Sequence, residues 1–160
     1  MDLLLWYNGV AADLRVSGRD LLADDSLYTA VVISLFTDAR ARAEDELPPE
    51  LDGEDRRGYW GDGLEGESVG SRLWLLAREK DTARVRARAE QYAREALAWL
   101  VSEGLARAVD VTAAHPQGGV CRLAVRVTYP DDRAEDPHTD AWNFKLDFEG
   151  GDYAVEPADA

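Results

Sequence analysis

The feature that most constrains this chain is a strict alternation of apolar and polar residues along its last third. Apolar side chains occupy every second position in the segments 109–113, 121–129 and 142–148. An alternation of period two places successive side chains on opposite faces of a β-strand, so that one face is buried and the other is wet. Pro116 to Gly119 predict a turn between the first two segments. The pattern therefore predicts three antiparallel strands in a half-buried sheet.

Three segments ahead of these strands have the character of helices. Residues 27–39 follow the N-cap candidates Asp24, Asp25 and Ser26 and are apolar on nearly every side, so this helix must be covered on most sides. A short helix is predicted from Ser71 through Lys80. A longer one follows, with Asp81 and Thr82 at its start, Glu103 at its end and Gly104 just beyond.

A short hairpin is predicted at the start of the chain, with strands at Leu3–Tyr7 and Ala12–Val16 and a turn at Asn8-Gly9. Together the elements predict an α+β fold: a small antiparallel sheet with about three helices packed on it and a long acidic loop between helices. We expect residues 1–150 to form a single domain and residues 151–160 to form a flexible acidic tail.

The charge of the chain disfavours several classes of partner. The 160 residues include 32 acidic and 18 basic side chains, for a net charge of −14. Such a charge repels phosphate backbones and anionic lipid head groups, so we expect neither nucleic acid nor a membrane as a partner. No apolar run approaches the roughly 18–20 residues of a membrane span, and the first residues lack the basic group of a signal peptide. We expect a soluble protein of a reducing compartment.

Residues 44–70 predict a long loop, with 10 acidic and 2 basic side chains. Two prolines and several glycines break any helical or strand periodicity in this segment. Tyr59 and Trp60 argue against plain disorder, because large aromatic side chains are costly to leave in water. We expect the loop to be mobile in the free protein and ordered in an assembly.

The motifs that suggest chemistry fail on their context. Gly61 to Gly66 match the pattern G-x-G-x-x-G, but no predicted strand precedes them, and the acidic residues within them would repel a pyrophosphate. Residues 52–55 resemble the start of a calcium loop. Arg56 and Arg57 then occupy positions where an EF-hand needs an oxygen ligand and a glycine.

The nucleophile and metal-ligand candidates are equally sparse. One cysteine and two histidines are too few for a zinc site of the usual four protein ligands. Cys121 falls on the apolar face of a predicted strand, where an inert thiol is expected. His115 and His138 could act as bases, but no serine or cysteine lies in a recognisable nucleophile setting. We expect no enzymatic activity, no cofactor and no metal.

Four stretches, in this order, carry a resemblance to a known family. They are residues 29–41 (TAVVISLFTDARA), 56–62 (RRGYWGD), 70–80 (GSRLWLLAREK) and 92–100 (YAREALAWL). With the alternating strands behind them, they resemble tail proteins of Mu-like contractile-tailed phages and prophages over about residues 25–148. Tyr59 stands where the family often has a second tryptophan, and the Glu-Pro-Arg signature of the wider group is not evident.

The resemblance implies a structural role in a phage tail baseplate, as the counterpart of the sheath-initiator or wedge-core protein. Such a protein has a small α+β fold that joins the baseplate wedge, the tail tube and the first sheath ring. The implied partners are other wedge proteins and the sheath and tube or hub proteins, with six copies around the tail axis. The implied location is the tail baseplate of the virion, after assembly in the host cytoplasm.

Eight residues are candidates for protein interfaces: Arg57, Tyr59, Trp60, Arg72, Trp74, Trp142, Phe144 and Lys145. The strand from Trp142 to Phe148 is either a core strand or an edge that pairs with another chain. Arg72 and Trp74 either form an interface hot spot beside Tyr59 and Trp60, or belong to the packing of the loop onto the helices.

Two other functions are compatible with the composition. An acidic regulatory or mimic protein would bind a basic partner surface, and high salt would weaken that binding because exposed charges are screened. A cell-wall hydrolase would cleave peptidoglycan in a gel assay.

Overall fold

Three short two-stranded antiparallel sheets form the N-terminal part of the chain. The computed structural model describes residues 2–7, 12–18, 20–21, 23–24, 26–48, 51, 55–62, 68–117, 120–130, 137–148 and 152–156. The paired strands are β1 (Asp2–Leu3) with β6 (Ala23–Asp24), β2 (Leu5–Tyr7) with β3 (Ala12–Leu14), and β4 (Val16–Ser17) with β5 (Asp20–Leu21). The predicted hairpin is confirmed by the second pair. Its predicted turn at Asn8-Gly9 lies outside the described residues.

Helix α1 (Tyr28–Phe36) is shorter than the predicted helix of residues 27–39. The N-cap residue is Leu27 rather than one of the predicted candidates. Ser26, one position earlier, accepts a hydrogen bond at its Oγ from the Tyr28 N–H at 3.1 Å. The Leu27 N–H donates to the hydroxyl of Tyr129 at 3.0 Å, which ties the start of α1 to the C-terminal half of the chain.

A backbone pairing with a distant segment ends α1. At Thr37 the chain becomes extended, and its carbonyl oxygen accepts from the Ser71 N–H at 2.9 Å. The Ser71 carbonyl in turn accepts from the Ala39 N–H at 2.9 Å. Gly70 has φ +106°, and a Cβ there would lie 2.3 Å from the Thr37 carbonyl oxygen. Only glycine fits this close approach of two backbones.

The short helix predicted from Ser71 through Lys80 is wrong. The segment contains a single 3₁₀ turn, Leu73–Leu76, whose four side chains are all buried. An α-helix on a surface needs a wet face, and residues 71–76 present none, because all six are buried. Beyond the turn, Arg78 has φ +67° and its N–H donates to the carbonyl of Phe148. The described residues therefore contain two α-helices rather than about three, and the mixed α+β class is confirmed.

Helix α2 (Ala83–Ser102) follows the predicted boundaries closely. The Thr82 hydroxyl accepts from the Val85 N–H at 3.3 Å, as an N-cap does. Gly104 has φ +73° and follows the last turn, the position at which glycine ends helices.

The C-terminal part forms a four-stranded antiparallel sheet in the order β10-β9-β8-β7. Its strands are β7 (Ala108–Gln117), β8 (Val120–Thr128), β9 (Thr139–Asp147) and β10 (Asp152–Glu156). The three predicted strands correspond to β7, β8 and β9. Strand β7 runs through Pro116, where a turn was predicted, and residues 118–119 of that turn lie outside the described residues.

Strand β10 differs from the prediction of a flexible tail. Asp152–Glu156 pair with β9 along their whole length, from Asp152 opposite Asp147 to Glu156 opposite Asn143. The residues before and after this strand, 149–151 and 157–160, lie outside the described residues. A pattern of five residues is too short to distinguish a strand from an irregular tail. Pairing with β9 makes this segment a strand.

The core lies between the sheet and the two helices. The buried side chains of β8 alternate with exposed or half-buried ones, and the buried set packs against α1 and α2. Its largest fully buried members include Trp74, Phe144, Phe148, Leu35, Leu97, Leu100 and Leu123.

Side chains of α2 bond the backbone of β7, one of the two edge strands of the described four-stranded sheet. Glu90 Oε1 accepts from the Ala113 N–H at 2.8 Å, and Arg94 Nη2 donates to the Val111 carbonyl oxygen at 2.5 Å. Glu90 and Arg94 also pair with each other at 2.9 Å. Edge strands expose such groups to pairing with other chains, so α2 protects this stretch of the edge.

Candidate protein-interaction surface

Residues 55–62 form a turn, here called the aromatic turn, that presents Trp60 to solvent. Trp60 is 80% exposed and Tyr59 is 39% exposed, with their ring centroids 5.4 Å apart. The Asp62 N–H donates to the Tyr59 carbonyl at 3.1 Å. A Cβ on Gly61 would lie 2.6 Å from the Tyr59 ring, so glycine lets the ring lie against the backbone. Tryptophan is among the residue types enriched at interface hot spots.

Arg57 anchors the base of the aromatic turn. Its Nη1 lies 2.6 Å from Asp38 Oδ2, and its guanidinium carbon lies 4.6 Å from the centroid of the Trp74 ring. Its carbonyl oxygen accepts from Arg40 Nη1 at 3.3 Å. With φ +49°, Arg57 adopts a left-handed conformation that is uncommon outside glycine. The charge of Arg57 is therefore paired within the chain. Arg57 holds the base of the turn that carries two other interface candidates, Tyr59 and Trp60.

Arg72, a second candidate, is buried. Its Nη1 donates to both carboxylate oxygens of Asp45, at 2.8 and 2.9 Å, and its Nη2 donates to Glu95 Oε2 at 2.5 Å. Its guanidinium carbon lies 4.4 Å from the centroid of the Tyr92 ring. These contacts fasten residues 42–45 to α2, so Arg72 is a structural clamp in the free chain and leaves no guanidinium face for a partner.

The clamp lowers the pKa of both its carboxyl groups. Burial raises the pKa of Asp45, but the hydrogen bonds from Arg72 and from the Arg42 N–H outweigh burial. Burial likewise raises the pKa of Glu95, and the hydrogen bonds from Gln91 and Arg72 reverse the direction. Both groups are therefore held in their charged form.

Trp74 belongs to the core. It is 2% exposed, and its Nε1 donates to the Ala39 carbonyl at 2.8 Å. The sequence left two alternatives open, an interface hot spot or packing of the loop onto the helices. Packing applies to Trp74, whereas Trp60 stays exposed to solvent.

The candidates on β9 lie away from a sheet edge, because β8 and β10 pair with β9 on its two sides. Phe144 is buried with its ring 5.5 Å from that of Phe36, and the ring of Trp142 lies 6.0 Å from that of Tyr28. Lys145 is half-buried on the opposite face and stands across from Arg122 of β8. The core interpretation of this strand is confirmed, and the edge interpretation is wrong.

An open groove beside the aromatic turn was missed by the sequence reasoning. It has a volume of about 1070 Å³ and lies between α1, α2 and the N-terminal strands. We call it the α1–α2 groove. Its apolar lining includes Leu3, Leu14, Ile33 and Trp99. One sequence feature does point to the groove. Helix α1 is apolar on nearly every side, which predicts that other elements cover it on most sides, yet Ile33 of α1 is exposed.

The candidate nucleophile and the candidate bases are buried or in contact with other side chains. Burial, the largest cause, raises the pKa of the Cys121 thiol to about 11. The ring of His115 contacts Asp81, and His138 stacks on Tyr129 with ring centroids 5.1 Å apart. Within the described residues, no three His, Cys, Asp or Glu side chains are grouped to hold a metal ion. Residues 63–66 of the glycine motif and 52–54 of the calcium-like segment lie outside the described residues.

Neither helix in the described part of the chain is long and apolar enough to cross a membrane.

The chain is similar to two known phage proteins over most of its length. It is 48% identical to the baseplate protein gp46 of Escherichia phage Mu over 128 residues, which are 80% of this chain and 86% of the Mu protein. It is 41% identical to the Mu-like prophage FluMu protein gp46 of Haemophilus influenzae over 133 residues, which are 82% of this chain and 89% of that protein. The family model for phage protein GP46 matches residues 27–134. The resemblance to proteins of Mu-like phages is confirmed, and the chain belongs to the phage GP46 family.

Proposed function

We propose that this chain is a structural protein of a contractile phage tail baseplate. The observation that carries the proposal is its 48% identity, over 80% of the chain, to a protein named as a baseplate protein of phage Mu. In this role residues 1–150 act as one domain, without catalytic activity. The chain is located in the tail baseplate of the virion after assembly in the host cytoplasm.

At finer detail, the chain joins the baseplate wedge, the tail tube and the first sheath ring. Its partners are other wedge proteins and the sheath and tube or hub proteins, and six copies surround the tail axis. An adaptor of this kind needs rigid anchors on its surface rather than a catalytic site. The aromatic turn supports such a role, because Arg57 and Asp38 fix its base while Trp60 stays 80% exposed.

Electron cryo-microscopy of tails purified from a phage or prophage that encodes this chain tests the proposal. We expect six copies between the tube and the first sheath ring, in contact with wedge subunits. Particles that lack the chain, or that carry it away from the baseplate, would contradict the proposal.

The variant Trp60→Ala tests the contribution of the aromatic turn. In a strain in which this chain is the only source of the baseplate protein, we expect at least about a tenfold loss of sheathed tails, because truncating a hot-spot residue costs about 2 kcal/mol or more of binding. Electron microscopy of negatively stained lysates counts the tails. Leu105→Ala is the matched control, since Leu105 is also an exposed apolar side chain, 43% accessible, and lies outside the turn. Normal assembly with Trp60→Ala would remove the turn from the proposed interface.

A further inference from the structure

Exposed apolar side chains gather in the α1–α2 groove. Leu3, Leu14, Ile33 and Trp99 line it, and each is between 39% and 44% exposed. Contiguous exposed apolar surface is uncommon on proteins that stay monomeric and marks binding sites. The groove meets the aromatic turn at Arg40, which lines the groove and donates to the Arg57 carbonyl.

The polar groups of the groove wall bond one another. Trp99 Nε1 donates to Ser34 Oγ at 3.0 Å. The Thr29 hydroxyl oxygen accepts from the Leu5 N–H at 3.2 Å and lies 3.3 Å from the Leu3 carbonyl, to which it donates. Small-molecule sites rely on a few convergent polar groups that orient the ligand. Because these groups are already engaged, the groove fits an apolar protein surface better than a small polar ligand.

The walls of the groove favour a helical occupant over an extended one. Two walls are α1 and α2, whose backbone groups bond within each helix. On the wall formed by the N-terminal strands, Thr29 of α1 takes the Leu3 carbonyl and the Leu5 N–H, two backbone groups that a strand could otherwise have used. A further wall comes from residues 39–42 and 68–72. There the N–H groups of Ala39, Val69 and Ser71 already donate within the chain. An extended segment would therefore bury unpaired peptide groups, which is costly, whereas a helix satisfies its own.

Two charged side chains of the groove are available to pair with such a helix. Arg42 and Arg72 both pair with Glu95, at 3.0 and 2.5 Å. Arg40 and Glu103 also line the groove, and neither forms an ion pair among the described residues. Glu103 lies at the C-terminal end of α2, and Arg40 lies in the segment that follows α1. The groove therefore offers one basic and one acidic side chain, on different elements, to the charges of a partner.

We infer that the α1–α2 groove binds an amphipathic helix of another tail protein. The helix carries a carboxylate that pairs with Arg40, a basic residue that pairs with Glu103, and apolar residues that cover Ile33 and Trp99. Helices recognised in grooves use apolar anchors at helical spacing. This inference rests on the proposed baseplate function, since it takes its partner from the assembled tail.

Photo-cross-linking in assembled tails identifies the occupant. A photoreactive amino acid replaces Ile33 in one variant and Val16 in the control, because Val16 is 68% exposed and lies outside the groove lining. We expect the Ile33 position to cross-link to one segment of another tail protein that has apolar residues at helical spacing and carries both an acidic and a basic residue. Cross-links to an alternating strand-like segment, to a second copy of this chain, or to nothing would overturn the inference.

Charge reversal tests the two charged contacts. We expect Arg40→Glu and Glu103→Arg each to reduce tail assembly at least about tenfold with an unchanged melting temperature. Reversing the matching charge on the cross-linked helix should restore assembly. Arg40 also supports the aromatic turn, so Arg40→Glu changes both the groove and the turn. Glu103→Arg changes the groove without touching the turn, and it therefore tests the groove separately. If neither reversal affects assembly, the inference is wrong. If microscopy finds the chain at the baseplate with the groove empty, the inference fails while the proposed function stands.

Discussion

Trp60 and Trp74 are the same residue type, and their surroundings give them opposite roles. Trp74 is buried and its indole N–H bonds the Ala39 carbonyl, so Trp74→Ala leaves a cavity and an unpaired acceptor. We expect this variant to lower the free energy of unfolding by about 3–5 kcal/mol. Trp60→Ala removes a solvent-exposed ring, and we expect a change within about 0.5 kcal/mol. Urea denaturation measures both values, and a loss of several kcal/mol for Trp60→Ala would contradict the assignment.

The clamp around Arg72 predicts a pH dependence of stability. Burial raises the pKa of Asp45 and of Glu95, but their hydrogen bonds hold both below the ordinary values. A carboxyl group with a depressed pKa stabilises the fold above its unfolded pKa and loses that contribution as the pH falls through the folded pKa, here below about pH 4.5. In Arg72→Gln the burial remains while the guanidinium is lost. Without the guanidinium, the folded-state pKa values of Asp45 and Glu95 rise toward or above the unfolded ones, so the clamp no longer loses stability on acidification. We therefore expect this variant to have a lower melting temperature than the parent at neutral pH and a shallower fall of the melting temperature below about pH 4.5.

The matched control for this clamp is Arg57→Gln. The Arg57–Asp38 pair is largely exposed, with side-chain accessibilities of 39% and 43%, so solvent screens it. We expect the fall of its melting temperature on acidification to match that of the parent. Should Arg72→Gln not fold, Glu95→Gln tests the same clamp. We expect its melting temperature to fall less steeply with decreasing pH than that of the parent, because one carboxyl group with a lowered pKa is gone. Parent-like curves for both clamp variants would refute the prediction.

At the scale of elements, α2 protects one edge of the four-stranded sheet, the edge formed by β7. Glu90 and Arg94 occupy backbone groups of Ala113 and Val111 on the edge strand β7. We expect the double variant Glu90→Ala, Arg94→Ala to expose an edge that pairs with a second copy, because unpaired edge strands template such contacts. Sedimentation velocity over a concentration series should detect the dimer or larger species. Arg84→Ala, an exposed change on the same helix, is the control and should stay at the parent's mass.

At the scale of the whole molecule, the net charge of −14 sets the response to salt. Excess like charge repels itself and destabilises the compact state, and the screening length falls from about 30 Å at 0.01 M salt to about 3 Å at 1 M. We therefore expect the melting temperature to rise with sodium chloride between these limits. Scanning calorimetry measures the trend. A falling melting temperature would mean that attractive pairs such as Arg72–Asp45 outweigh the overall repulsion.

The local features of the chain were readable from the sequence because their physical causes are local. The alternation in residues 121–129 predicted β8 to within a residue, since side-chain direction in a strand depends on neighbours two positions away. Thr82 and Gly104 marked the ends of α2 for the same reason. The motifs in residues 29–41 and 70–80 carried the family, because they depend on residue identity and order alone.

Features that depend on distant partners were decided by the tertiary structure. No local pattern separates Trp60 from Trp74, because the burial of Trp74 depends on the carbonyl of Ala39 and the packing around it. The alternation of β9 is the same for a central and an edge strand, and only the pairing of β10 beside it made it central. The sequence determined which faces of each element are apolar. Contacts between segments far apart in the chain decide which of those faces are covered, and they leave Ile33 and Trp99 facing a groove. The residues of one segment carry no information on the position of the other, so these contacts cannot be read from either segment alone.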